Sequence, residues 1–153
     1  MNKANSFVGI ACLAFLMMGC NSPHNATTNP SRPNSAPVSL TGTEWVLQDL
    51  AGTLALPNVK ATLAFPEAGR LAGNASCNRF TGSAEVSGDT IKFGMLASTR
   101  MACVDNAVSS QEMEYLKALA AAKRFEWKDP VLLIYAEGYD KPLRFTPETP
   151  ATP

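Results

Sequence analysis

The chain has 153 residues, of which 46% are hydrophobic and 17% are charged, and its formal net charge is zero. This length allows one domain with appendages. Basic and acidic residues are mixed along the chain, which excludes the basic patch that nucleic-acid binding needs. The single histidine, His24, lies in a Pro- and Asn-rich segment outside the predicted fold. Its position excludes Ser–His–Asp and Cys–His catalysis in the domain, and zinc sites that depend on imidazole.

The N-terminus has the pattern of an export signal. Lys3 stands in a short polar start, and an apolar run from Phe7 to Met18 is followed by Gly19 and Cys20. A run of about a dozen residues is too short for a bilayer, which needs about 20, but it suits the apolar core of a signal peptide. The Gly-Cys end resembles the bacterial lipobox, in which the cysteine is lipidated and becomes the new N-terminus.

Two interpretations of Cys20 remain open. In the first, residues 1–19 are a lipoprotein signal peptide, and several acyl chains on Cys20 give a stable membrane anchor. In the second, the signal is an ordinary cleaved one and the cysteine is incidental. In the lipoprotein class an aspartate after the cysteine favours inner-membrane retention, and this chain has Asn21. We therefore predict an envelope protein that is lipid-anchored at the outer membrane and faces the periplasm.

Residues 20–39 and 148–153 are predicted to be disordered. The first segment is rich in Pro, Asn, Ser and Thr and has almost no apolar residue, so it cannot bury enough surface to offset the entropy of ordering. Its prolines favour extended conformations, which suit a tether between lipid and domain. The C-terminal end is similar in composition, and the folded domain is therefore predicted to span residues 40–147.

Several short segments of this domain alternate apolar and polar residues, as half-buried strands do. They are KATLAF at 60–65, TIKF at 90–93, RFEWK at 124–128 and LRF at 143–145. VLLIY at 131–135 is apolar throughout, which predicts a central strand covered on both sides. About seven or eight antiparallel strands and one helix predict an α+β domain, with a curled sheet or small barrel and the helix packed against it.

The helix is predicted in SSQEMEYLKALAAAK, residues 109–123. Ser109 and Glu112 have the spacing of a capping box, and Val108 and Met113 that of a hydrophobic staple. The apolar stripe of this helix, which indicates core packing rather than partner binding, consists of Met113, Leu116, Leu119 and Ala120.

Paired carboxylates are the remaining route to catalysis. Glu85 with Asp89, and Glu112 with Glu114, are the candidate pairs, and solvated surface charge is the simpler interpretation of both. The chain also lacks a Gly-rich phosphate-binding motif. We therefore predict a non-enzymatic protein without a metal or another cofactor.

Cys77 and Cys103 are the two cysteines of the predicted domain. In an exported protein an even pair usually forms a disulfide, and a loop of this length gives about 3–4 kcal/mol of stabilisation. A redox-active pair and free thiols remain alternatives. Redox catalysis usually uses Cys-x-x-Cys spacing, and neither cysteine lies at the predicted helix start.

Three segments occur in a specific order: GTEWVLQDL at 42–50, GNASCNRFTG at 73–82 and FGMLASTRMAC at 93–103. Together with the helix and the C-terminal strands they resemble the META domain family of HslJ-like heat-shock lipoproteins. The family's Cys-Asn-Arg-Phe-x-Gly motif falls on residues 77–82, and its Thr-Arg-Met-x-Cys motif on 99–103. The resemblance implies a small antiparallel β fold with one helix, export with a lipid anchor, and roles in envelope stress, heat shock or drug tolerance. It brings no catalytic residue.

The two motifs supply the candidate binding residues, Asn78, Arg79 and Arg100. Asn78 suits a turn, where its side chain can bond the backbone. Each arginine either pairs with a carboxylate or loop carbonyl, or marks a binding surface for an anionic group or a partner protein. On an extended STRMAC segment Met101 and Cys103 share a face, which predicts that both point to the core.

Three functions remain open at this stage. The leading hypothesis is a non-catalytic envelope lipoprotein that acts in stress tolerance through an unidentified envelope protein. The second is binding of a small apolar molecule or lipid inside the curled sheet. Its expected lining includes Trp45, Phe65, Phe93 and Trp127. The third is thiol–disulfide exchange by the cysteine pair.

Overall fold

The computed structural model describes residues 39–148. The predicted signal peptide, Cys20, nearly all of the tether and most of the tail lie outside these residues. The described elements, in chain order, are β1 (Thr43–Leu50), β2 (Thr53–Leu54), β3 (Thr62–Phe65), β4 (Arg70–Asn74), β5 (Arg79–Ser87), β6 (Thr90–Phe93), β7 (Ala97–Ser98), α1 (Asn106–Ala120), β8 (Ala122–Lys128), β9 (Val131–Ala136) and β10 (Leu143–Pro147). Within residues 39–148 no helix is both long enough and apolar enough to cross a membrane.

Eight of the strands close into an antiparallel barrel. The order around the ring is β1, β3, β4, β5, β6, β8, β9 and β10, and β10 pairs back onto β1. The closing ladder sets Trp45 opposite Pro147 and Leu47 opposite Phe145. The predicted α+β class, a small barrel with one packed helix, is confirmed for the described residues. The two-residue strands β2 and β7 lie outside the ring.

The period-2 alternation of the strands fills the barrel with side chains. On β6, Ile91 and Phe93 are buried while Thr90 and Lys92 are exposed, as the sequence predicts. An eight-stranded barrel has an interior just wide enough for side chains to fill. The largest fully buried side chains are Trp45, Tyr115, Phe80, Phe145, Leu63, Leu71, Ile91, Leu119, Leu132, Ile134 and Leu143.

Strand β9 differs from the prediction of a strand covered on both sides. Leu132 and Ile134 are buried, but Leu133 and Tyr135 are only half-buried. The reason is that each strand of a barrel has only one face in the interior. The outer face of β9 is covered in part by long side chains of neighbouring strands, which leaves Leu133 and Tyr135 half-buried. The Arg124 guanidinium lies 3.9 Å from the centre of the Tyr135 ring.

Helix α1 places Tyr115 in the interior of the barrel. The Tyr115 ring centre lies 6.0 Å from that of Phe80 on β5 and 6.2 Å from that of Phe145 on β10. These strands stand at opposite positions of the eight-strand ring, so only a side chain inside the barrel can contact both. The Tyr115 hydroxyl donates to the Thr62 carbonyl at 3.1 Å. Burial raises its pKa well above the ordinary value, which keeps it a neutral donor.

The predicted helix start at Ser109 is wrong. Helix α1 begins at Asn106, and its N-cap is Asp105, whose carboxylate accepts a hydrogen bond from the Ala107 amide at 2.7 Å. Glu112 is buried and bonds a distant loop instead of capping its own helix.

The buried face of α1 is also shifted from the predicted stripe. Met113, which we expected in the core, is 67% exposed. The buried residues of the helix are Gln111, Glu112, Tyr115, Ala118 and Leu119. This face includes two polar residues because the loops beneath it offer hydrogen-bond partners.

The side chains expected to line an internal ligand site pack against one another. Trp45 meets Trp127 edge to face, with ring centres 5.1 Å apart. Phe65 lies against Phe93, with ring centres 6.2 Å apart. The ring surfaces that would contact an internal ligand are thus in contact with other aromatic side chains of the protein.

Candidate functional site

Cys77 and Cys103 form the disulfide that the sequence favoured, with Cα atoms 6.0 Å apart. The bond ties the loop between β4 and β5 to the segment that joins β7 to α1. Both residues are half-buried. Because the helix starts earlier than predicted, Cys103 stands two residues before the N-cap, Asp105.

Asn78 is buried, with 3% of its surface exposed, and every hydrogen-bonding position of its side chain is used. Its Oδ1 accepts from the Met101 amide and from the Thr99 hydroxyl, both at 2.8 Å. Its Nδ2 donates to the Met101 carbonyl at 3.2 Å and to Glu112 Oε1 at 2.8 Å. A side-chain amide has two donors and two acceptor positions. Asn78 therefore has no group left for a ligand.

The bonds between Asn78 and Met101 have the pattern of a strand ladder. The Asn78 side chain accepts from the Met101 N–H and donates to the Met101 C=O, as a backbone residue of a neighbouring strand would. The preceding rung is the bond from the Thr99 N–H to the Arg79 carbonyl, at 3.0 Å. The side-chain amide of Asn78 thus continues the β5–β7 pairing by one position before Arg79, the first residue of β5.

Glu112 fixes the turn at the start of the Cys-Asn-Arg-Phe motif. Its Oε2 accepts from the amides of Cys77 at 3.1 Å and Asn78 at 2.7 Å. Its Oε1 accepts from the Asn78 side chain. Charge-assisted hydrogen bonds of this kind are about twice as strong as neutral ones.

Gln111 makes similar bonds to two other loops. Its Nε2 donates to the Ser76 hydroxyl at 2.8 Å, and its Oε1 accepts from the Leu56 amide at 2.7 Å. Ser76 has φ of 108°, in a region that non-glycine residues rarely adopt. The bond from the helix therefore supports a strained turn.

Sequence reasoning missed these roles of Gln111 and Glu112. The available signal was their position between Val108 and Tyr115 on a helix face that turns inward. Polar side chains on such a face need hydrogen-bond partners.

Three potential metal ligands come together at this site. Sγ of Cys77, Sγ of Cys103 and a carboxylate oxygen of Glu112 lie within 4.8 Å of one another. The two sulfurs are bonded to each other, and the carboxylate accepts three N–H groups. In the disulfide form these atoms are committed to bonds within the protein.

Arg79 and Arg100 are exposed at neighbouring positions of the β5–β7 edge. Neither forms an ion pair with another residue of the described range 39–148. Met101, predicted to point to the core, is 61% exposed. The prediction is wrong because regular pairing ends at Ser98, and beyond it the Asn78 side chain holds the backbone of Met101.

The comparisons with known proteins agree with this fold. The META domain profile matches residues 38–149. An NMR structure of a protein from Burkholderia xenovorans is 26% identical, with a TM-score of 0.58, and the match covers 78% of this chain and 99% of that one. A second NMR structure is 21% identical, with a TM-score of 0.56 and coverage of 68% and 87%. No curated protein matches the chain significantly. With most of its length matched by the family profile, the chain belongs to the META domain family.

Proposed function

We propose that the protein is a non-catalytic lipoprotein of the cell envelope, which supports envelope-stress, heat-shock or drug tolerance by contacting other envelope proteins. The observation that supports this proposal is the bonding inside the two family motifs. Cys77 and Cys103 are joined, and the polar groups of Asn78 and Glu112 bond to each other and to loop backbone. Such bonding rigidifies a surface rather than holding a reactive group ready for a substrate.

The membrane attachment follows from the signal pattern at residues 1–20. Cys20 is the proposed lipidation site, and the Asn21 that follows it favours the outer membrane. Cys20→Ser should release the protein from the membrane fraction and abolish its labelling with palmitate. Cys12→Ser is the matched control, because Cys12 lies in the apolar run and should be removed with it. A Cys20→Ser protein that stays in the membrane fraction contradicts the anchor.

The role in stress tolerance is tested by deleting the gene in the native host. We expect poorer survival after heat shock or exposure to envelope-active drugs, and recovery when the wild-type chain is returned. Cys20→Ser should fail to restore survival, because the domain would then be detached from its site of action. A deletion strain that survives every one of these treatments as well as its parent contradicts the proposal.

The two alternative functions have less support. The aromatic residues expected around an internal apolar ligand, such as Trp45 and Phe65, are packed against other aromatic rings. The bonds of Glu112 brace the loop that carries one half of the disulfide. Ligand binding and thiol exchange stay predictions, and no contact within residues 39–148 favours either over the structural interpretation.

A further inference from the structure

The segment 97–101 is an open edge of the described sheet. Strand β7 pairs with β5 and with no other strand of residues 39–148. The ring does not continue through β7: it passes from β5 to β6, and from β6 to β8 through a single pair of opposing residues, Thr90 and Arg124. No described strand therefore covers the outer side of β7.

The direction of the backbone groups follows from the bonds already made. Thr99 and Met101 bond towards β5, through the Arg79 carbonyl and the Asn78 side chain. Successive residues of a strand point their backbone groups to opposite sides. The N–H and C=O groups of Ser98 and Arg100 therefore point outward. Residues 97–102 are exposed throughout, and an unpaired row of this kind is a template for another strand.

The edge is cationic and partly apolar. From Ala97 to Val104 the sequence contains Arg100 but no aspartate or glutamate, and Arg79 stands exposed on the adjacent strand. Large apolar side chains are also exposed along it: Met95 at 93%, Met101 at 61% and Val104 at 106%. The complementary strand would carry carboxylates together with apolar residues.

The rest of the same chain does not supply such a strand. Residues 1–38 and 149–153 contain no aspartate or glutamate, and both segments include prolines, which cannot donate to a ladder. A second copy paired at this edge would bring two Arg100 side chains onto one ladder, where like charges repel. The charge of the edge thus favours a different, acidic protein.

We propose that the 97–101 edge binds an extended acidic segment of a partner protein by β-strand addition. The outward backbone groups of Ser98 and Arg100 would form the new ladder, and the guanidinium group of Arg100 would pair with a carboxylate on the same face of the added strand. This inference rests on the proposed function, since it names the chemistry of the partner in those protein contacts.

The test uses the full-length ¹⁵N-labelled protein in non-ionic detergent micelles. The probe is the peptide acetyl-Glu-Val-Glu-Val-Glu-Val-amide, and its counterpart has lysine in place of each glutamate. We expect the acidic peptide to shift the amide resonances of residues 97–101 in a saturable way that weakens as salt is added. The basic peptide should leave these resonances unchanged.

Four variants show whether the edge itself is the site. Arg100→Ala should weaken binding of the acidic peptide, and its matched control Arg144→Ala, at an exposed arginine on β10, should not. Arg100→Glu should lower the affinity for the acidic peptide about tenfold and raise that for the basic one. Ser98→Pro removes an outward N–H while leaving the bonds to β5, and it should abolish binding with the thermal unfolding midpoint preserved.

Several results would overturn the inference. They are equal binding of the two peptides, shifts centred away from residues 97–101, and a loss of binding in Arg144→Ala as large as in Arg100→Ala. Shifts at the edge that depend on protein concentration without any peptide would instead identify a second copy as the occupant. The proposed function fails separately, since it is judged by membrane release and by survival of the deletion strain.

Discussion

Asn78 shows how one side chain can complete a sheet that the backbone leaves unfinished. Its amide has a donor and an acceptor at the spacing of a peptide group, so it pairs with both backbone groups of Met101. An aspartate would offer no donor to the Met101 carbonyl and would set a second carboxylate against Glu112. The identity of this residue is therefore explained by its bonds within the protein.

Glu112→Gln should destabilise the protein by about 1–3 kcal/mol, the usual effect of leaving a buried polar group unsatisfied. The glutamine oxygen can accept from the amides of Cys77 and Asn78. Its NH₂ group then faces Nδ2 of Asn78, donor against donor, and Asn78 cannot flip because its Oδ1 already accepts two bonds. Chemical denaturation with fluorescence detection measures the change.

Glu114→Gln is the control for that measurement, because it removes a carboxylate two residues away on an exposed part of the same helix. Its amide oxygen can still accept from the Tyr139 hydroxyl, which now donates to Glu114 Oε1 at 2.6 Å. We expect less than about 1 kcal/mol, as for other exposed ion pairs. Equal losses in the two variants would show that the buried network of Glu112 adds nothing to stability.

At the scale of single elements, the strands were predictable and the helix boundaries were not. Alternation in TIKF and LRF identified β6 and β10 because one buried face imposes period 2. The helix start was misplaced because Ser109 and Glu112 have the local spacing of a capping box. The partners that recruit Glu112, Cys77 and Asn78, are 35 and 34 residues away in sequence, and no local pattern reports such a contact.

Asp105→Ala should cost about 1 kcal/mol, since it removes the side chain that satisfies the Ala107 amide at the start of α1. Ser109→Ala tests the cap that the sequence suggested. It should change stability by less than about 0.5 kcal/mol, because Ser109 lies within the helix and alanine is a good helix former. Thermal unfolding followed by circular dichroism distinguishes the two. A larger loss in Ser109→Ala would contradict the observed helix start.

Strand β8 carries an ion-pair ladder that should respond to acid. The hydrogen bond from Lys128 and, to a smaller extent, that from Arg124 lower the pKa of the Glu126 carboxyl from the ordinary 4.5 to about 2. A lowered pKa in the folded state gives stability above the unfolded-state pKa, and this stability is lost as pH falls from about 4.5 to about 2. The difference in unfolding midpoint between wild type and Glu126→Gln should therefore be constant above pH 5 and shrink towards pH 2. A difference that grows in acid contradicts the ladder.

The whole molecule depends on contacts between distant parts of the chain, and these were the least predictable. A curled sheet and a closed barrel have the same strand pattern, so the alternation of β1 and β10 could not show that they pair. The disulfide could be predicted because only two cysteines lie in the domain and the sequence of residues 1–20 has the pattern of an export signal. The position of Tyr115 inside the barrel had no equivalent signal, since a tyrosine on a helix is equally compatible with a surface site.

The double variant Cys77→Ser, Cys103→Ser should lose about 3–4 kcal/mol of stability, because the bond closes a loop with a sequence separation of 26. In a domain of this size that corresponds to a fall of about 10–20 °C in the unfolding midpoint. Cys12→Ser, outside the described domain, should leave the midpoint unchanged. An unaltered midpoint in the double variant would show that the hydrogen bonds of Asn78 and Glu112 hold the two segments without the disulfide.

Barrel closure itself can be tested with two truncations. A chain that stops after Pro142 lacks β10, and with it Leu143 and Phe145, whose burial contributes about 1.5–3 kcal/mol each. It also leaves β1 and β9 without their shared neighbour, so the total loss approaches the 5–15 kcal/mol that typically stabilises a domain. We expect this chain to show no cooperative unfolding transition.

The control is a chain that stops after Glu148. It keeps β10 and the bond from the Glu148 amide to the Glu44 carbonyl at 2.8 Å, and it should unfold like the full-length protein. Cooperative unfolding of the shorter chain near the wild-type midpoint would mean that the sheet is stable open, with the β1–β10 ladder an addition to the fold rather than a requirement for it.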